Sequence, residues 1–126
     1  MLFRSVEIVA TCLAAHAIPP ERKNDRDGFL SEIETKILPT VARRGLAEYV
    51  DVFCDQGFFS VPETLRLLRA AHALRMSTRV HGEELSLTGI AKEAAHLGAH
   101  SVDHLLKVDD AGIRDRKSTR LNSSHT

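Results

Sequence analysis

The chain has 126 residues, of which 43% are hydrophobic and 27% charged, and 17 basic residues balance 17 acidic ones. This composition is typical of a globular chain and excludes a highly charged disordered protein, and no run approaches the roughly 20 apolar residues of a membrane span. The balanced charge gives no reason to expect nucleic acid as a partner. With no membrane span and no secretory signal, we expect a cytoplasmic protein.

Four short stretches rich in β-branched or apolar residues predict strands, at 6–13, 49–54, 77–81 and 101–104. Helical patterns lie between them. The first spans 27–44, with a kink expected at Pro39 and an end at Gly45.

The second helix has a capping-box start, since Ser60 is followed three residues later by Glu63, with Pro62 in the first turn. The third spans 88–97 and ends at Gly98. Strand and helix therefore alternate along the chain, which predicts consecutive βα units with parallel strands in one sheet.

Two observations favour a (β/α)₈ barrel over a doubly wound sheet. No Gly-x-Gly-x-x-Gly follows the first strand, and side chains able to bind metals recur where strands end. Four units make half of a barrel of about 250 residues. The predicted fold class is therefore α/β, a partial (β/α)₈ TIM barrel.

The last twelve residues differ from the rest. The segment 115–126 holds three basic residues and one acid, and 115–125 resembles the conceptual translation of a sequencing-library adapter. We expect a disordered tail there, with a natural flexible tail as the alternative. The predicted barrel domain is then 1–114, which carries 14 basic and 16 acidic residues.

Three of the seven histidines lie where strands end. His81 ends the third predicted strand, His104 ends the fourth, and His16 follows the first, while Glu84 lies three residues after His81. Imidazole nitrogens suit zinc or iron, and neighbouring strands lie about 4.8 Å apart. The pattern predicts a shared site of His81, Glu84 and His104; the alternative is that backbone or water satisfies each histidine separately. The remaining histidines are expected to be solvated or packed: His72, His96, His100 and His125.

Other chemistry has weaker support. Cys12 and Cys54 lack a Cys-x-x-Cys spacing, which argues against a structural zinc site or a redox pair, and we expect two free thiols. The charged run at 21–27 follows two prolines and is expected to form a solvated loop.

Four of these stretches, in order and nearly in spacing, resemble imidazolonepropionases, which are metal-dependent amidohydrolases of histidine breakdown. The similar stretches are 12–20, 49–60, 80–85 and 101–105, and the similarity extends over about 6–113. Several motifs in one order make this a more specific signal than any single histidine.

The resemblance implies a role for each candidate residue. His81 would be a metal ligand, and His104 would assist proton transfer. His16 and Glu84 would contact the substrate, 4-imidazolone-5-propanoate, and Glu84 would also handle protons. In the family one zinc or iron ion activates water, which opens the ring and yields N-formimino-L-glutamate.

The sequence also departs from the family pattern. The family completes its metal site with a His-x-His pair on the first barrel strand and an aspartate on the last, and this sequence holds neither. We therefore expect a fragment of an imidazolonepropionase that is inactive by itself. A homodimer of the full-length parent is left open. The alternatives are a fragment of another cyclic-amide amidohydrolase or aminohydrolase, and a non-catalytic, self-associating half-barrel.

Overall fold

The computed structural model of the protein describes residues 6–104. The predicted tail at 115–126 lies outside the described residues. Within 6–104, no helix combines the length and apolar character needed to cross a membrane. The elements are β1 Thr11–Ala15, α1 Arg26–Glu32, α2 Leu38–Arg43, β2 Tyr49–Cys54, α3 Val61–Ala73, β3 Ser77–Gly82, α4 Ile90–Leu97 and β4 Ser101–His104, with a 3₁₀ turn at Pro20–Arg22 and a π-helical turn at Ile33–Ile37.

The four strands form one parallel sheet in the order β1-β2-β3-β4. The pairing of β2 with β3 is continuous, whereas the pairing of β1 with β2 shifts register between Cys12 and Ala15. The prediction of an α/β fold with parallel strands is confirmed. Because the strands are parallel, all four end at the same edge, which we call the carboxyl edge.

The two faces of the sheet carry different kinds of side chain, because side chains alternate along each strand. One face is fully buried against the helices; its members include Val50, Val52, Val80 and Val102, which join Leu67, Leu68 and Ile90 in the core. The opposite face presents polar and aromatic side chains, among them Asp51, Phe53, Arg79 and His81. One face of the sheet thus stabilises the fold, and the other carries the side chains that can take part in chemistry.

The first strand begins later than predicted. It spans Thr11–Ala15 rather than 6–13, and the first backbone bond to the neighbouring strand region runs from the Glu48 amide to the Ala10 carbonyl, at 3.1 Å. Val6 and Ile8 are 84% and 83% exposed, so their β-branched side chains have no packing partner that would favour a strand. Cys12, in the strand, is half-buried, Cys54 is buried, and both are free thiols as expected.

The first helical region is broken by a π-helical turn. α1 passes through Ile33–Ile37 into α2, and Pro39, which has no N–H to donate inside a helix, directly follows this π-helical turn. The predicted irregularity at Pro39 is therefore absorbed by the turn before it. Gly45, at φ 62°, ends α2 as predicted, because this left-handed position lets the Leu46 amide reach the Val41 carbonyl at 3.0 Å.

The predicted capping box of α3 is present. The Ser60 hydroxyl accepts from the Glu63 amide at 3.2 Å, and the Glu63 carboxylate accepts from the Ser60 amide at 2.9 Å. The same carboxylate accepts two bonds from the Arg26 guanidinium, at 2.6 and 3.1 Å. The charged run at 21–27 is largely exposed, as expected, but it is not a loop throughout, because its end at Arg26 starts α1 and ties that helix to α3.

The turn after α3 carries a strained residue. Arg75 has φ 61°, which costs a residue with a Cβ roughly 1–2 kcal/mol. This conformation lets the Met76 amide reach the Ala71 carbonyl at 3.0 Å, the bond pattern that glycine usually supports after a helix.

We predict that Arg75→Gly raises the free energy of unfolding by about 1 kcal/mol, because glycine adopts the left-handed conformation without a Cβ clash. Chemical denaturation monitored by circular dichroism measures the change. Arg75→Ala is the control, since it removes the same side chain but keeps the Cβ. An equal gain in both variants would contradict the interpretation.

A second prediction concerns Glu63, whose pKa lies below its ordinary 4.5 mainly because Arg26 donates to the carboxylate. Its stabilising contribution is therefore complete above the unfolded-state pKa and is lost as pH falls through the lower, folded-state pKa. Glu63→Gln should cost about 1 kcal/mol at neutral pH, since Arg26 is partly exposed and solvent screens the pair.

That cost should shrink as the solution is acidified. The measurement is the free energy of unfolding of the unsubstituted protein and of Glu63→Gln, compared across pH. The exposed Glu48 provides the control: Glu48→Gln should leave the free energy of unfolding almost unchanged. A Glu63→Gln cost that is constant from neutral to strongly acidic pH would refute the role of the charge.

Candidate active site at the carboxyl edge of the sheet

The four candidate residues lie together at the carboxyl edge. His16 directly follows β1, His81 is the penultimate residue of β3, and His104 ends β4. Glu84 follows β3 by two residues. The parallel register places His104 beside Gly82, next to His81, so two adjacent strands deliver both imidazoles to one place.

A buried carboxylate holds His81. Asp51, in the middle of β2, is 4% exposed, and its Oδ1 lies 2.8 Å from Nδ1 of His81. A carboxylate only accepts hydrogen bonds, so Nδ1 carries the proton and donates it to Asp51. This pairing fixes the orientation of the ring and leaves Nε2 as its other nitrogen.

His16 completes a cluster with the same two residues. Its Nε2 lies 3.4 Å from Asp51 Oδ1, and its ring meets that of His81 edge-on, with 4.9 Å between centroids. Within the described residues, this Nε2 is buried and makes no hydrogen bond. A buried nitrogen in that state is an available donor or acceptor for a bound group.

His104 and Glu84 form the other side of the site. Nδ1 of His104 lies 3.8 Å from Oε1 of Glu84, and the rings of His104 and His81 are 4.9 Å apart between centroids. The predicted grouping of His81, Glu84 and His104 is therefore present in space. His16 and Asp51 adjoin it on the opposite side of His81.

The charges within the cluster reinforce one another. Burial by itself raises the pKa of the Asp51 carboxyl, but the contacts with His16 and His81 outweigh it, so the pKa lies below its ordinary 3.8. The hydrogen bond to Asp51 in turn raises the pKa of His81 above 6.5, against the opposing effect of burial. Asp51 is thus held as an anion between two imidazoles.

Two phenylalanines lie on one side of the cluster. Phe53, two residues after Asp51 on the same face of β2, lies 6.1 Å from the His16 ring and 6.0 Å from the His81 ring. Phe58 stacks on Phe53 at 4.1 Å between centroids. Aromatic rings therefore lie on one side of the two imidazoles, whose side chains are each 26% exposed.

The other described histidines lie elsewhere. His72, on α3, is 2.8 Å from the Thr78 hydroxyl through Nε2, and burial lowers its pKa. His100 packs its ring against Tyr49, and His96 is exposed on α4. All three lie away from the candidate site, and His125 lies outside the described residues.

The sequence-based prediction missed Asp51. A signal was present, since Asp51 is the one acidic residue in the strand segment 49–54 and stands between Val50 and Val52. A buried charge needs a partner. The partner, His81, is 30 residues away, and only the parallel pairing of β2 with β3 brings the two together.

Three residues of the cluster have side chains that can bind a metal ion. His16, Asp51 and His81 can each bring one ligand atom within 4.8 Å of the others. However, the 2.8 Å between Asp51 and His81 is a hydrogen bond, shorter than the roughly 3.3 Å between two ligands that lie about 2.0 Å from tetrahedral zinc. Asp51 therefore orients His81 instead of sharing an ion with its Nδ1. A catalytic zinc needs at least three protein ligands, so the described residues fit part of a metal site.

A parallel sheet of βα units that gathers imidazoles and carboxylates at its carboxyl edge is typical of α/β enzymes. Within that class, the chain is similar to imidazolonepropionases. It is 47% identical over 109 residues to that of Geobacillus thermodenitrificans, 45% over 109 residues to that of Desulfotalea psychrophila, and 44% over 108 residues to that of Fusobacterium nucleatum. No protein-family model matches the chain.

Each of these matches includes 86% of this chain but only 26% of the relative. The chain thus spans about a quarter of the length of the curated relatives it matches. The resemblance inferred from the four motifs is confirmed, and the coverage is consistent with a fragment.

Proposed function

We propose that the chain is a segment of an imidazolonepropionase, an enzyme that opens the ring of 4-imidazolone-5-propanoate by hydrolysis to give N-formimino-L-glutamate. One observation carries the proposal. The four residues to which the resemblance gives roles, His16, His81, Glu84 and His104, come from three separate parts of the chain and converge at one edge of the sheet.

The sheet order supports a partial (β/α)₈ barrel for 1–114. A doubly wound sheet reverses its strand order at a switch point, whereas the order here is sequential over all four strands. The helices pack on one face of the sheet, as the outer ring of helices does in a barrel. The remaining residues, 115–126, are proposed to be an adapter-derived addition.

His81 is the proposed metal ligand, through the Nε2 that its bond to Asp51 leaves available. The buried Nε2 of His16 lies beside it and is proposed to contact the substrate. When bound, a zinc or iron ion supplies Lewis acidity, which makes water nucleophilic at neutral pH. The ligands that complete the site in the family are absent from this sequence, so the isolated chain is expected to be inactive.

His104 and Glu84 are the proposed acid and base groups. Their side chains lie 3.8 Å apart, so an imidazole and a carboxylate face the same small volume. Such a pair is suited to take a proton from the attacking water and return one to the ring nitrogen as the carbon–nitrogen bond breaks. Glu84 is also proposed to contact the imidazolone ring.

A different cyclic-amide hydrolase or aminohydrolase would keep the metal ligand but replace the substrate contacts. His16 and Glu84 therefore distinguish the two proposals. Both approach the metal-side cluster, His16 through its ring contact with His81 and Glu84 through His104. Their positions favour the imidazolone substrate.

A segment exchange tests this function. The matched part of this chain replaces the aligned stretch of the Geobacillus thermodenitrificans enzyme, which supplies the remainder of the site. The folded chimera should bind one zinc or iron ion and convert 4-imidazolone-5-propanoate, whereas the chain by itself should not. His81→Ala in the chimera should lower kcat/KM by at least about 100-fold and release the metal, since a direct ligand matters at least as much as its supporting residues.

His96→Ala is the matched control, because this histidine is exposed on α4. It should retain both metal and activity. A folded, metal-loaded chimera without turnover would contradict the proposed substrate. Full activity of the His81→Ala chimera would contradict the proposed ligand.

A further inference from the structure

The loop that carries Glu84 is tied to the end of a different strand. Asp55 directly follows β2 and is 4% exposed. Its Oδ2 accepts from the backbone amide of Leu85 at 2.7 Å, and its Oδ1 accepts from the Ser86 hydroxyl. Glu84 is the residue immediately before this attachment. No role was assigned to Asp55 from the sequence.

The Asp55 carboxylate accepts three hydrogen bonds. Besides Leu85 and Ser86, the amide of Gln56 donates to Oδ1 at 2.8 Å. Burial alone raises the pKa of Asp55, but these hydrogen bonds outweigh burial and hold the pKa below 3.8. Charge-assisted bonds of this kind are about twice as strong as neutral ones, so the attachment is firm for a loop.

Asp55 itself is held rigidly. Its amide donates to the Phe59 carbonyl at 3.1 Å, and its carbonyl accepts from the Phe58 amide at 3.0 Å. The turn of 55–59 also bonds back to β2, since the Phe59 amide donates to the Phe53 carbonyl at 3.1 Å. The carboxylate is therefore attached to the sheet and not to a second mobile loop.

The start of the loop is fixed as well, at Glu83, the residue before Glu84. Glu83 has φ 57° and is completely buried, and its Oε1 accepts from the Thr88 hydroxyl at 2.9 Å. Thr88 in turn accepts from the Ile90 amide at the start of α4, at 3.3 Å. The residues on both sides of Glu84 are thus anchored, while the Glu84 side chain remains partly exposed.

We propose that Asp55 is a positioning residue, which holds the loop so that the Glu84 carboxylate stays within reach of His104. Removing one donor or the acceptor lets residues 84–86 leave the turn and lengthens the 3.8 Å separation between Glu84 and His104. The inference rests on the proposed function, because positioning Glu84 matters to catalysis only if Glu84 contacts substrate.

Amide exchange and NMR of the whole chain test the attachment without any activity. In Asp55→Asn one carboxylate oxygen becomes an amide nitrogen that faces a donor, so exchange at the Leu85 amide should accelerate at least about tenfold, the effect of losing roughly 1.4 kcal/mol of local protection. The ring resonance of His104 should shift, and exchange at Val52, inside β2, should not change.

Asp25→Asn is the matched control, since asparagine serves equally well as the N-cap of α1. If Asp55→Asn also loses protection at Val52, Ser86→Ala decides, because it removes a single donor from Asp55. Faster exchange at Leu85 with a shift at His104 then supports the proposal. Unchanged Leu85 and His104 signals in the folded variant overturn it.

The chimera separates positioning from general damage. Asp55→Asn should lower kcat more than it changes KM, and it should have little further effect when Glu84→Gln is already present, because both changes disable the same group. Additive losses would overturn the positioning role. If the unsubstituted chimera is inactive, the proposed function fails, while the exchange measurements still decide whether Asp55 holds the loop.

Discussion

The hydrogen bond between Asp51 and His81 is the interaction on which the site depends. Asp51 is buried in β2 and meets the imidazole of β3 at 2.8 Å, which selects the ring nitrogen that carries the proton. His16 approaches from one side of His81 and His104 from the other. The fixed His81 ring is thus the one against which both neighbouring imidazoles pack.

The arrangement of the site follows from the geometry of the parallel strands. Alternation along the strands sends valines into the helix-covered core and leaves Asp51 and His81 on the opposite face. Because the strands run in the same direction, their ends collect residues from distant parts of the chain. The loops after β2 and β3 then join through Asp55, so a second buried carboxylate supports the part of the site that the ladder does not reach.

Local signals predicted the elements whose causes are local. The capping box of Ser60 and Glu63 located the start of α3, and the residues of β2 and β4 were predicted with the observed bounds. The first strand was misplaced because β-branched residues at 6–9 favour a strand only where a neighbour covers them. Asp51 and Asp55 were missed because their partners lie about 30 residues away in the sequence. Only the pairing of the strands brings these residues into contact.

The most direct test of this account is the tautomer of His81, read from long-range ¹H–¹⁵N correlations of the chain at about pH 9, where histidines are largely neutral. The Asp51 contact predicts a proton on Nδ1 and an unprotonated Nε2, and Asp51→Asn should weaken that preference. A proton on Nε2 with an unprotonated Nδ1 in the unsubstituted chain would contradict the orientation of His81 and, with it, the proposed metal ligand.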